Sequence, residues 1–207
     1  MMKKTYLRLI LVALIMGIGI AGDTSAFFST STATKNNNFV PGALSTSIFE
    51  NGVRTNEGTM VLNHETQTTQ KMIQVENSNH LNEIDTYVRV MLVPTFRNPE
   101  GAEAGNISLE PSNNSILVTE PEGGTITLNL NSSWSVHWTY SNGYFYHKAI
   151  VHPSELTHVI LNSVTVSEID LWETFQLEVL SDAIQAENSA ANAAWGVDIS
   201  SGQITIP

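Results

Sequence analysis

The stretch "HWTYSNGYFYHK", residues 137–148, decides the fold. Asn142-Gly143 stands between two aromatic runs. A type I′ turn needs positive φ at both central residues, and Asn followed by Gly meets that need at little steric cost. A two-residue loop then sets the register. Trp138 faces His147 and Tyr140 faces Phe145 on one side; Thr139 with Tyr146 and Ser141 with Tyr144 lie on the other. The first strand of the hairpin is expected to run from Ser135 to Tyr140.

Outward from this hairpin, apolar residues recur with a period near two, in short runs between Gly, Pro, Asn and Ser clusters. That is the pattern of an all-β sandwich. Strands are expected from Leu44 to Phe49, stopped by Asn51-Gly52, and from Lys71 to Val75. "YVRVMLV", Tyr87 to Val93, reads as a central strand with Arg89 as the exception and Pro94 as its end. Ile116 to Thr119, Thr125 to Leu130, His158 to Leu161, Ser163 to Val166 and Phe175 to Leu180 follow. "AIQAENSAANAAWG" should pass from a strand end into a short helical turn before Trp195, and "GQITIP" should close the chain as a short strand. Residues 98–106 read as an acidic surface loop, and neither an internal repeat nor a second domain is visible.

The amino terminus carries an export signal. Lys3, Lys4 and Arg8 precede a 13-residue apolar stretch, Leu9 to Ala21, and small residues follow with Thr24 and Ala26 at the −3 and −1 places. Thirteen residues are too few to span a bilayer comfortably. Cleavage between Ala26 and Phe27 divides the chain into a signal peptide (1–26), an extended segment (27–38) and a β-sandwich domain (39–207). Losing Lys3, Lys4, Arg8 and Asp23 leaves 6 basic and 19 acidic side chains in the mature chain, a net charge of −13. The basic footprint that nucleic acid and anionic lipid require is absent. There is no cysteine, so the exported domain relies on its hydrophobic core rather than on disulfides.

Little in the sequence points to catalysis. Without cysteine there is neither a thiol nucleophile nor a thiolate metal site. G-x-S-x-G, Walker and Rossmann patterns are missing. His64-Glu65 begins a zincin-like motif, but Thr68 stands where the second histidine belongs. His137, His147, His152 and His158 lie close in sequence. The hairpin register sends His137 and His147 to opposite faces, whereas His152 and His158 flank "PSEL" and could meet across that loop. Glu168 and Asp170 fit a solvated turn better than an acid/base pair. The four tryptophans and the tyrosine-rich hairpin also offer rings for stacking on sugars, although one face of the hairpin must be core.

Several segments taken in order resemble the TasA/camelysin family of exported proteins of Gram-positive bacteria, which a SipW-type signal peptidase processes. "AFFSTSTATKNNNFVPGALS" is similar to that family's mature start: an aromatic (Phe27 or Phe28), a polar run, Phe39 and then Gly42-Ala43-Leu44. "DTYVRVMLVPTF", "NGYFYHKAIVHPSELTHVILNSVTV" and "DAIQAENSAANAAWG" are similar to later blocks of a SipW-associated branch. The likeness runs over nearly the whole chain. It departs at "PSEL", where the branch shows Pro-Gly-Glu, and at the polar run after the aromatic, where relatives carry Asp or Glu. The resemblance implies a jelly-roll-like β-sandwich and a secreted structural subunit of biofilm-matrix or cell-surface fibres. In such fibres an N-terminal strand completes the sheet of the next subunit.

That expectation makes Phe27, Phe28, Thr30, Thr32, Thr34 and Phe39 assembly residues. Phe28, Thr30, Thr32 and Thr34 would share one face of an extended strand. The expected partners are further copies of the chain, other matrix proteins and the signal peptidase, with no nucleic acid. No catalytic residue, metal ligand or cofactor is assigned, and no enzymatic activity is expected. The rival readings are a cell-surface metallopeptidase of the camelysin type and a monomeric carbohydrate- or peptide-binding module.

Overall fold

The computed structural model describes residues 44–55, 60–62, 67–79, 83–97, 103–104, 109–119, 124–167 and 174–207. The expected signal peptide, the expected cleavage pair Ala26–Phe27 and the expected assembly residues Phe27, Phe28, Thr30, Thr32, Thr34 and Phe39 fall outside these, as do His64, Glu65, Glu168 and Asp170. The strands are β1 (Thr46–Glu50), β2 (Val53–Thr55), β3 (Met60–Leu62), β4 (Gln67–Asn77), β5 (Thr86–Arg97), β6 (Glu103–Ala104), β7 (Ser115–Thr119) and β8 (Thr125–Leu130). After the helical turn α1 (Trp134–His137) come β9 (Trp138–Ser141), β10 (Tyr144–His147), β11 (Leu161–Ser167) and β12 (Thr174–Gln185). The helix α2 (Ala190–Trp195) and the strands β13 (Asp198–Ser200) and β14 (Gln203–Thr205) end the chain.

Two antiparallel sheets form an all-β sandwich. The first has the order β2-β1-β4-β11-β8-β7, and the second β3-β12-β5-β10-β9 with β6 beside β5. Period-two alternation sends one set of side chains from each strand inward. Ile73 and Val75 of β4, Ile126 and Leu128 of β8, and Val164 and Val166 of β11 join Val90 and Leu92 of β5, and Phe175 and Leu177 of β12, in one core. A second, smaller core lies on the other face of the second sheet. There Tyr87 and Tyr146 pack with Ala191, Val197 and Ile204 from the C-terminal elements. Buried polar groups tie the loops together: Asn77 Nδ2 donates to the carbonyls of Ile84 and Val151 at 2.8 Å each, and its Oδ1 accepts from Asn79.

The central hairpin has the expected register, with Trp138 opposite His147 and Tyr140 opposite Phe145. Asn142 and Gly143 sit at φ of 51° and 85°, as a type I′ turn demands. The same chemistry recurs at Asn51-Gly52 (51° and 80°) and at Ser201-Gly202 (52° and 76°). Asn51-Gly52 therefore does more than end a strand: it returns the chain into β2, which pairs Val53 with Glu50.

Four expectations are corrected. Ser135 to His137 are helical rather than strand. Asn131 Oδ1 accepts from both the backbone N–H and the hydroxyl of Ser133, and Trp134 N–H bonds the Asn131 carbonyl, so local turn chemistry outcompetes the strand preference. Pro94 lies inside β5, opposite Leu177 of β12. Its other edge falls between Val90, paired to β10, and Phe96, paired to β6, and a gap of that kind tolerates a residue without an N–H. The strand expected from His158 begins only at Leu161. Before it, the Thr157 hydroxyl rather than a carbonyl takes the Val75 N–H at 2.9 Å, which interrupts the ladder. Within the 98–106 loop, Glu103 and Ala104 form the short strand β6.

Candidate functional site

At one end of the sandwich three histidines come together from three elements. His147 is the last residue of β10 and only 4 % exposed. Its Nδ1 lies 2.9 Å from the carbonyl of Ala149. A carbonyl only accepts, so Nδ1 carries the proton and Nε2 presents a lone pair. His158 Nδ1 lies 3.1 Å from that lone pair and donates to it. The ring of His137, at the end of α1, stacks on His158 with centroids 3.4 Å apart and planes 5° from parallel. Trp138 packs edge-on against His147, and its indole N–H donates to the His158 carbonyl at 3.1 Å.

This grouping differs from the expected one. Strand alternation alone would separate His137 from His147. Because His137 leaves a helical turn, its ring instead reaches His158, which bonds to His147. His152 and His158 do not meet: His152 Nδ1 bonds Asp85 Oδ1 at 2.7 Å. That carboxylate raises the pKa of His152 above the usual histidine value. Among the described residues no group of three His, Asp or Glu side chains is arranged to hold a metal ion. In the trio both ring nitrogens of His147 and Nδ1 of His158 are hydrogen-bonded, and His137 contributes a ring face.

Burial, reinforced by the neighbouring His158 and His137, lowers the pKa of His147 from 6.5 to about 4. Unfolded chains therefore take up this proton at higher pH than folded ones. The associated stability is fully present above pH 6.5 and is lost as pH falls towards 4. At 1.36 kcal/mol per unit, His147 should account for about 3 kcal/mol of acid destabilisation. In an NMR titration the His147 ring resonances should stay unshifted until the pH approaches 4. A midpoint near 6.5 would refute the assignment.

The aromatic hairpin is occupied on both faces. Trp138 and Phe145 enter the main core, and Trp134 meets Phe145 edge-on with centroids 5.7 Å apart. On the other face the guanidinium of Arg89 lies 4.1 Å above the Tyr144 ring and 4.7 Å from the Trp195 ring. Its Nε and a terminal nitrogen donate to Asp182 at 3.1 and 2.9 Å. The rings that looked available for a sugar are thus engaged by the chain's own arginine and C-terminal segment. "YVRVMLV" marked Arg89 as the exception in an apolar strand but not its partners: it sits opposite Tyr146 in the next strand and opposite Asp182 on the other side.

The sheet edges complete the inventory. β7 is outermost in the first sheet, paired on its inner side with β8. Ile116 and Val118 point into the core and are fully buried, while Leu117 between them is 61 % exposed. Among the described residues no strand pairs with its outer edge. No family model, curated protein or solved structure matches this chain.

Proposed function

We propose that this protein is an exported structural subunit that assembles outside the cell, with residues 27–38 of one copy adding a strand to a sheet edge of the next. The observation that carries the reading is β7. Its sequence "SILVT" holds no charge and no proline, and its outer edge has no strand partner among the described residues. Sandwiches ordinarily blunt such an edge with Lys, Pro or a bulge, because its N–H and C=O groups template further pairing. Strand addition satisfies those groups and seats alternate side chains. Residues 27–34 are free of charge, and Phe28, Thr30, Thr32 and Thr34 supply one face of such a strand.

Head-to-tail donation is a heterologous contact and grows an open fibre rather than a closed ring. The likeness to the TasA/camelysin family supports the same reading, together with a jelly-roll connection of the strands and processing by a SipW-type signal peptidase. Other matrix proteins are the further partners. Electron microscopy of the mature chain, residues 27–207, should show filaments, and a chain starting at residue 39 should show none. Equal assembly by both would overturn strand donation.

A further inference from the structure

We propose that His137, His147 and His158 form an acid-operated latch between the two sheets, whose protonation releases α1 and residues 153–160 while the strand core stays folded. The latch joins distinct parts of the sandwich. His147 belongs to β10 of the second sheet. His158 lies on the run that leads into β11 of the first. His137 closes α1, which connects β8 of the first sheet to β9 of the second. The titratable joints are the 3.1 Å bond between His147 Nε2 and His158 Nδ1 and the 3.4 Å stack of His137 on His158. The His158 backbone N–H also points to His147 Nε2 at 3.4 Å, and the Trp138 indole N–H holds the His158 carbonyl.

The bond requires a neutral His147, and the stack disfavours charge on both of its rings at once. The Ala149 carbonyl holds the single proton of neutral His147 on Nδ1, so a second proton must go to Nε2, where it would face the N–H of His158. Protonating both His137 and His158 would place two cations in a parallel stack. The surrounding charges do not relieve this. Lys148 adds a positive charge on the hairpin side, its Nζ donating to the Ser135 carbonyl of α1 at 2.6 Å. Glu155 accepts from the backbone N–H of His152, and Asp85 is bonded to the His152 ring. Among the described residues no carboxylate is hydrogen-bonded to the trio. Burial and the neighbouring His137 also lower the pKa of His158, in keeping with a site that resists charge until acid forces it.

The far end of the released run behaves oppositely. Acid protonates His152 and strengthens its pairing with Asp85, so residue 152 remains an anchor while the run beyond it detaches. Detachment would break the bonds from Thr157 N–H to the Val75 carbonyl, from Val75 N–H to the Thr157 hydroxyl and from Ile160 N–H to the Ile73 carbonyl. Local opening of this kind is read by hydrogen exchange. The latch is a property of the single subunit and holds whether or not strand donation occurs.

Hydrogen exchange of the mature protein at pH 7.5 and 4.5, corrected for intrinsic rates, tests it. The amides of Val75, Thr157 and Ile160 should lose protection about tenfold or more at the lower pH, while those of Leu92 and Val179 in the core strands keep theirs. Two variants sharpen the result. His137→Phe keeps a ring against His158 without its charge, and His158→Asn keeps an N–H near the position of Nδ1 without a titrating group. Each removes one of the three titrating rings and should reduce the acid loss at least about twofold relative to the parent. The proposal falls if protection at Val75, Thr157 and Ile160 is the same at both pH values, if it declines only together with the whole core, or if properly folded variants open as the parent does. Should either variant fail to fold, the comparison within the parent protein still decides.

Discussion

Replacing Trp138 with alanine is expected to remove about 4 kcal/mol of folding stability, the range seen when a large buried aromatic is truncated. Trp138 is 1 % exposed and stands where the central hairpin enters the main core. Its loss would leave a cavity that the surrounding strands, each bound in a ladder, can only partly close. The substitution also deletes the indole donor to the His158 carbonyl and the edge-on contact with His147, so the end of the sandwich loosens along with the core. For a chain of this size the melting temperature should fall by on the order of 10 °C. Urea unfolding of residues 27–207 measures the effect directly. Leu117→Ala, at a 61 % exposed position, is the control and should change stability by less than about 0.5 kcal/mol. A loss below about 1 kcal/mol for Trp138→Ala would mean that the hairpin does not anchor the core.

The second large effect concerns a charge inside the sandwich. Lys71 occupies the inward side of β4 in line with Ile73 and Val75, and its side chain is fully buried. Its Nζ meets Glu50 Oε2 at 2.8 Å. Glu50 is opposite Ile73 on the neighbouring strand, so the two charged groups are diagonal neighbours on one face. Removing the carboxylate by Glu50→Ala strands an ammonium away from water and should cost about 3–4 kcal/mol. Lys71→Met alone fills the same space without charge and frees the 24 % exposed Glu50 side chain to hydrate, at a cost near 1 kcal/mol or less. The double variant Glu50→Ala/Lys71→Met should recover most of the loss. Additive losses in this cycle would show that the pair is not coupled.

Much of the architecture was legible because strands advertise themselves locally. Thr125–Leu130 alternates between half-buried and buried positions with the period that its sequence displays. Asn142-Gly143 dictated both a turn and a register, since few residue pairs adopt positive φ twice. Two misreadings arose where a side chain competed with the backbone for hydrogen bonds. Asn131 and Ser133 turned the start of the expected strand into a helical turn, and the Thr157 hydroxyl delayed the next strand to Leu161. Such competition depends on where the acceptor finally lies, and periodicity carries no record of it.

The sequence by itself determined the class: an all-β chain, its central hairpin and the face each hairpin residue presents. Those properties follow from φ preferences and a two-residue period, both of which act over a few neighbours. Only the tertiary structure decided which distant residues share a site. Glu50 meets Lys71, Arg89 settles between Tyr144 and Trp195, and His158 rather than His152 joins His147. Each of these contacts depends on how separate segments of the chain lie beside one another in the folded sandwich. Long-range pairing is set by the burial of the whole core, so no local signal could specify these partners in advance.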